Sequence, residues 1–162
     1  MRSSLARCGR RHFLAAGAVG VALVAAGGFV GPSVAGPAIK VFKDPSCGCC
    51  GAWVEHMRQA GFAVTVEETS DLGSVKLNLG VPDDLASCHT AILENYVIEG
   101  HVPADAVRRL LAERPKARGL AVPGMPAGSP GMEGGTPEAY AVILFDGVGR
   151  RDFARYLGGQ PV

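Results

Sequence analysis

What the chain lacks narrows it first. Residues 1–35 contain no acidic side chain. Nowhere is there a basic stripe interleaved with aromatics, which argues against a nucleic-acid surface. No apolar run reads as a stable membrane span, because the stretch from Ala15 to Val30 is short and rich in Ala and Gly. Four of the 16 basic residues (Arg2, Arg7, Arg10 and Arg11) lie in the acid-free stretch, which leaves 12 against 15 acidic residues beyond it. The formal charge of +1 therefore hides a remainder at about −3. With 48% hydrophobic and 19% charged residues, the composition is that of a globular protein carrying an apolar leader.

The leader itself is present and ordered as an export signal. Gly9-Arg10-Arg11-His12-Phe13-Leu14 opens the apolar stretch, and Ser33-Val34-Ala35 offers small residues where a signal peptidase reads. The paired arginines resemble a twin-arginine signal. Gly9 and Ala15 depart from that pattern, so the general secretory route stays open. We expect residues 1–35 to be a signal peptide and 36–162 a single exported domain, with no membrane span after processing. Cys8 precedes the apolar run and leaves with the leader.

Beyond the leader, Ala38–Phe42 reads as a strand, and Trp53, Val54, Met57 and Ala60 fall at helical spacing before Gly61. Phe62–Glu67 alternates as a second strand. Ser70 or Asp71 caps a short helix that runs through Asn78 and ends at Gly80 and Pro82. Thr90–Leu93 and Tyr96–Ile98 are strands joined at Glu94-Asn95. Pro103 opens a helix with Val107, Leu110 and Leu111 on its buried side, ending near Arg114-Pro115. The order β-α-β-α-β-β-α predicts an α/β, thioredoxin-like mixed sheet flanked by helices. Residues 119–137 repeat Pro-Gly-Met at 123–125 and 130–132, and that Gly/Pro/Met-rich composition predicts an irregular loop. Tyr140–Phe145, a turn at Asp146-Gly147 and Arg151–Tyr156 then predict a C-terminal β-hairpin.

The chemistry concentrates in Cys47-Gly48-Cys49-Cys50-Gly51, between the first strand and the first helix. A helix start there supplies unpaired backbone N–H groups and the positive dipole end, and both favour thiolate over thiol. Cys47 and Cys50 alone would suggest a redox pair, and Cys49 tilts the reading toward a metal. Cys88, in the loop before the third strand, brings a fourth thiol to the same end of the sheet, with His89 as a ligand or a group steering a thiolate. A two-disulfide scaffold is the weaker alternative, since a Cys49–Cys50 bridge is strained and any pairing of Cys47 strands a neighbour. Met125 and Met132 are loop residues whose thioethers also suit a soft ion. For His56, on a helix face, and His101, in a polar turn, the ordinary structural reading is preferred. Thiolates select Cu(I), and the crowding of three of them makes zinc the less favoured ion.

These motifs resemble the exported copper-resistance family known as domain of unknown function 411. The resemblance is carried by Cys-Gly-Cys-Cys-Gly with Trp53-Val54-Glu55-His56, Ala86-Ser87-Cys88-His89-Thr90, Tyr96 to Pro103, and Gly119 to Pro126. It implies a thioredoxin-like domain, a periplasmic setting and copper handling, with Cys47, Cys49, Cys50 and Cys88 as ligands and copper ions or other periplasmic copper-handling proteins as partners. The rival reading is an enzyme, a thiol–disulfide oxidoreductase working through Cys47 and Cys50. Against it, thioredoxin-like oxidoreductases carry a proline before the third strand, and Cys88-His89-Thr90 has none.

Overall fold

The computed structural model describes residues 36–162; the expected signal peptide lies outside the described residues. The elements run β1 (Ala38–Lys43), α1 (Gly48–Gln59), β2 (Ala63–Glu68), α2 (Leu72–Leu79), a 3-10 turn (Asp83–Leu85), β3 (His89–Leu93), β4 (Tyr96–Glu99) and α3 (Ala104–Glu113). They continue with β5 (Gly119–Ala121), β6 (Ala139–Phe145), β7 (Arg150–Leu157) and β8 (Gln160–Pro161). One mixed sheet in the order β2-β1-β3-β4-β5-β6-β7-β8 holds all the strands. β1–β2 and β4–β5 are parallel, and the other pairs are antiparallel.

Each helix sits where its sequence can terminate it and bury a stripe. Asp71 accepts the Ser74 N–H at the start of α2, which satisfies one of the first-turn donors. α1 buries Cys50, Trp53, Val54 and Met57, and α3 buries Ala104, Ala106, Val107 and Leu110. Both stripes join Ile39, Val41, Leu93, Ile98 and Leu120 in the main core. On the opposite face, Val81, Leu85, Val97, Ala121 and Phe145 form a second cluster, with Leu79 of α2 packed against it. Alternation along β4 and β5 feeds both faces, as a two-sided sheet requires.

Two expectations are corrected. α1 begins at Gly48 rather than Trp53, so the cysteines belong to its first turn and Cys47 is its N-cap. Residues 119–137 are not irregular throughout. Gly119–Ala121 pairs in parallel with Val97–Glu99 and antiparallel with Ile143–Phe145. Leu120 and Ala121 are buried on opposite faces, and that burial outweighs the Gly- and Pro-rich composition around them. β2 is an edge strand, which is why its outer residues Thr65 to Glu68 are exposed despite their β-branched alternation.

Candidate metal centre

β1 delivers the cysteine turn and β3 delivers Cys88, and their pairing brings the two together: Lys43, at the end of β1, lies opposite His89. The turn is fixed before the helix starts. Asp44 accepts hydrogen bonds from the Ser46 backbone N–H and hydroxyl, and the Cys47 N–H donates to the Asp44 carbonyl. No side chain caps α1 at Cys47, so the sulfurs lie at a helix end whose first N–H groups lack a side-chain acceptor.

Cys47, Cys49, Cys50 and Cys88 form one group whose sulfurs all lie within 4.8 Å of one another. Cys49 Sγ is 3.4 Å from Cys47 Sγ and 3.9 Å from Cys88 Sγ. Cys47 and Cys50 are joined in a disulfide across one helical turn, with Cα atoms 5.4 Å apart. Cys49 and Cys88 are free. The four sulfurs therefore converge, but as one bonded pair and two thiols. The two-disulfide alternative does not form.

A second group shares Cys88 and adds His89 and His101. Cys88 Sγ lies 3.0 Å from His101 Nε2 and 3.4 Å from His89 Nδ1. His101 donates from Nδ1 to the Pro130 carbonyl at 2.8 Å, which leaves Nε2 with the lone pair facing sulfur. Burial holds the His101 pKa below its usual value, partly offset by the Pro130 hydrogen bond and Glu133. His89 is wholly buried, its ring against Trp53 at 4.4 Å and edge-on to His101 at 5.0 Å. Burial, then His101 and Lys76, pushes its pKa far down, so it is a neutral imidazole. Its Nε2 has no hydrogen-bond partner. A buried, unpartnered ring nitrogen is costly unless something accepts its lone pair or its proton. Burial and then Cys49 raise the Cys88 thiol to about 12, so without a cation beside it Cys88 is protonated at neutral pH.

His101, expected from sequence as a residue of a polar turn, is instead buried against Cys88. Continuing the β3–β4 register beyond Thr90↔Glu99 sets Gly100 opposite His89, with the Gly100 N–H donating to the His89 carbonyl, and His101 opposite Cys88. Gly100 has φ +69, and a Cβ there would meet Ser87 Oγ at 2.5 Å and the Val122 carbonyl at 2.6 Å. His56 fits its structural reading: Nε2 accepts the Ala104 N–H at 3.1 Å and tethers α3 to α1.

The methionine loop is tied to the centre through backbone atoms. Ser87 Oγ donates to the Gly124 carbonyl, Pro130 accepts from His101, and Gly131 sits on the first turn of α1. Gly131 has φ +86, and a Cβ there would lie 2.7 Å from the Cys49 carbonyl and 2.8 Å from the Trp53 nitrogen. Met125 is 52% exposed and Met132 is half-buried.

The donors offered are cysteine sulfurs and neutral imidazoles, and no carboxylate belongs to either group among the described residues. Such a set fits soft or borderline ions and not Mg²⁺ or Ca²⁺.

The family description "Protein of unknown function, DUF411" matches residues 85–132, the segment that carries Cys88, His89, His101 and the methionine loop. No curated protein matches the chain. Two solved structures, "Copper resistance protein copG" in Form 1 and Form 2, each share 44% identity with it at a TM-score of 0.71. The matches cover 76% and 75% of this chain, and 99% and 98% of the respective structures.

Proposed function

The chain belongs to the DUF411 copper-resistance family, and from that premise we propose that it is an exported, periplasmic protein that binds Cu(I), sequestering it or handing it on. The observation that carries this reading is the convergence of four cysteine sulfurs on two neutral, buried imidazoles. In this reading Cys47, Cys49, Cys50 and Cys88 are the principal ligands, with His89 and His101 as nitrogen donors beside Cys88. Met125 and Met132 belong to a loop that closes over the centre and supplies, at most, weaker thioether donors. The β-α-β-α-β-β-α order supports a thioredoxin-like assignment for the first seven elements, and residues 1–35 are the signal peptide that the periplasmic reading requires.

The protein's own part is to present soft donors in a partly buried, shaped site. Trp53 packs on His89 and holds its ring plane, while the Pro130 carbonyl fixes which nitrogen of His101 carries the proton. Opening the Cys47–Cys50 bond takes two electrons and two protons and yields two further thiols, so the number of sulfur donors depends on that bond. Competition against chromogenic chelators under reducing conditions tests the assignment. Cu(I) should be held far more tightly than Zn²⁺, and a zinc preference would overturn it.

One observation favours a second reading. A bonded Cys47–Cys50 pair at a helix start, with Cys47 partly exposed and Cys50 buried, is the arrangement of an attacking and a resolving thiol in disulfide exchange. Cys49→Ser separates the two. It should lower copper stoichiometry or affinity while leaving exchange through Cys47 and Cys50 in place. Full copper binding by Cys49→Ser would sink the cluster reading.

A further inference from the structure

A carboxylate lies fully buried beside the metal centre without belonging to it. Glu99, at the end of β4, is 0% exposed. Its Oε1 accepts from Lys76 Nζ of α2 at 2.5 Å and from the Ser87 backbone N–H at 2.6 Å, and its Oε2 accepts from Thr90 Oγ1 at 2.7 Å. Lys76 also donates to Thr90 Oγ1 at 2.9 Å. Ion pairs buried this deeply are seldom justified by stability, since apolar replacements of similar shape do as well or better. The pattern of contacts suggests a different use. Apart from Lys76, which neutralises it, the Glu99 carboxylate bonds among the described residues only to Ser87 and Thr90, and these two residues bracket Cys88-His89.

We propose that Glu99 is a positioning residue of the metal centre: it clamps the Ser87–Thr90 segment at both ends and thereby sets where the Cys88 sulfur and the His89 ring point. The inference rests on the reading of Cys88 and His89 as ligands but concerns residues that touch no metal. A backbone N–H and a hydroxyl held by one rigid carboxylate leave the intervening dipeptide little freedom. His101 follows two residues beyond the end of β4, so one side chain registers the segment bearing Cys88 and His89 against the segment bearing His101. Burial raises the Glu99 carboxyl pKa, and the Lys76 charge beside it opposes that rise.

The test has an arm that needs no copper. In metal-free Cys49→Ser protein with the Cys47–Cys50 bond closed, Cys88 is the one free thiol among the described residues, and its alkylation by N-ethylmaleimide can be followed by mass mapping. Glu99→Gln keeps the shape and one acceptor but loses the second. Thr90→Val removes the bond at the other end of the dipeptide. Both should speed Cys88 alkylation in the folded protein, Glu99→Gln the more. Phe153→Leu, a core substitution in β7, should lower the melting temperature without changing that rate. Unchanged alkylation in both variants, or an equal rise in Phe153→Leu, would overturn the proposal. If Glu99→Gln fails to fold, Thr90→Val decides alone. In protein with all cysteines intact, Glu99→Gln should weaken Cu(I) affinity about tenfold, the lower range for groups that orient ligands. If the parent protein binds no Cu(I), the function proposed above fails while the alkylation arm still decides the role of Glu99.

Discussion

At the scale of single residues, the two histidines that differ most are His56 and His101. His101 has a carbonyl on Nδ1 and a sulfur 3.0 Å from Nε2, so removing the ring removes a donor from the centre. His101→Gln should weaken Cu(I) affinity by about 10- to 100-fold, read by chelator competition, with the fold retained by circular dichroism. His56→Gln should instead cost about 1 kcal/mol of stability through the lost Ala104 N–H bond, leaving copper affinity untouched. Equal copper affinity in His101→Gln and wild type would remove His101 from the site. The contrast also shows what a sequence reveals about side chains. The Cys-x-Cys-Cys cluster was legible because its members are neighbours in the chain. His101 was not, because its partner is thirteen residues away and the two meet only through the hairpin. The signal was nonetheless there: a two-residue turn at Glu94-Asn95 fixes the register, and following it outward leads from Leu93↔Tyr96 to Cys88 opposite His101.

Elements decide how the centre is covered. The loop between β5 and β6 rests on α1 at Gly131, where a left-handed backbone and two backbone neighbours leave no room for a side chain. Gly131→Ala should therefore cost about 1–3 kcal/mol in denaturant unfolding and should speed copper loss to a chelator, because lifting this residue also pulls the Pro130 carbonyl from His101. Met125→Leu/Met132→Leu asks a narrower question. Leucine keeps the apolar volume, so a packing role costs less than about 1.5 kcal/mol per site, and only a role at the metal makes copper leave faster. We expect a modest rise in stopped-flow release with folding intact. Most elements could be read from periodicity and caps, down to Asp71 and Gly80 bounding α2. β5 could not, because three residues between Arg118 and Val122 become a strand only when β4 and β6 are already beside them. The early start of α1 was hidden for a related reason: Gly48 and Gly51 weaken helix propensity, and the packing of Cys50 and Trp53 overrides it.

For the whole molecule, the redox state of one bond and the fate of the leader are the open variables. Copper bound per chain should be lower when Cys47–Cys50 is closed than after its reduction, since among the described residues only Cys49 and Cys88 then remain as thiols. Anaerobic titration of both forms with Cu(I) checks this, and equal stoichiometry would mean that Cys47 and Cys50 are not ligands. Cleavage of the leader after Ala35 should give a mature chain beginning at Gly36, which N-terminal sequencing of periplasmic protein would reveal. A chain recovered intact from the cytosol would contradict the export reading.

The strand register also has a kinetic meaning. Cys47, Cys49 and Cys50 meet within one turn of helix, and Cys88 meets His101 across one tight hairpin; both closures are local in the chain and belong to microsecond events. The two halves are joined by the β1–β3 pairing, Lys43 against His89, and by the packing of α1 through Trp53 on His89 and His56 on Ala104; these contacts span a long stretch of sequence, with a correspondingly higher entropic cost of closure. The complete donor set should therefore assemble after these local closures. In the copper reading, a parting of these contacts would split the donor set again, so the residence time of a bound ion should track the rate at which β1 and α1 open from β3.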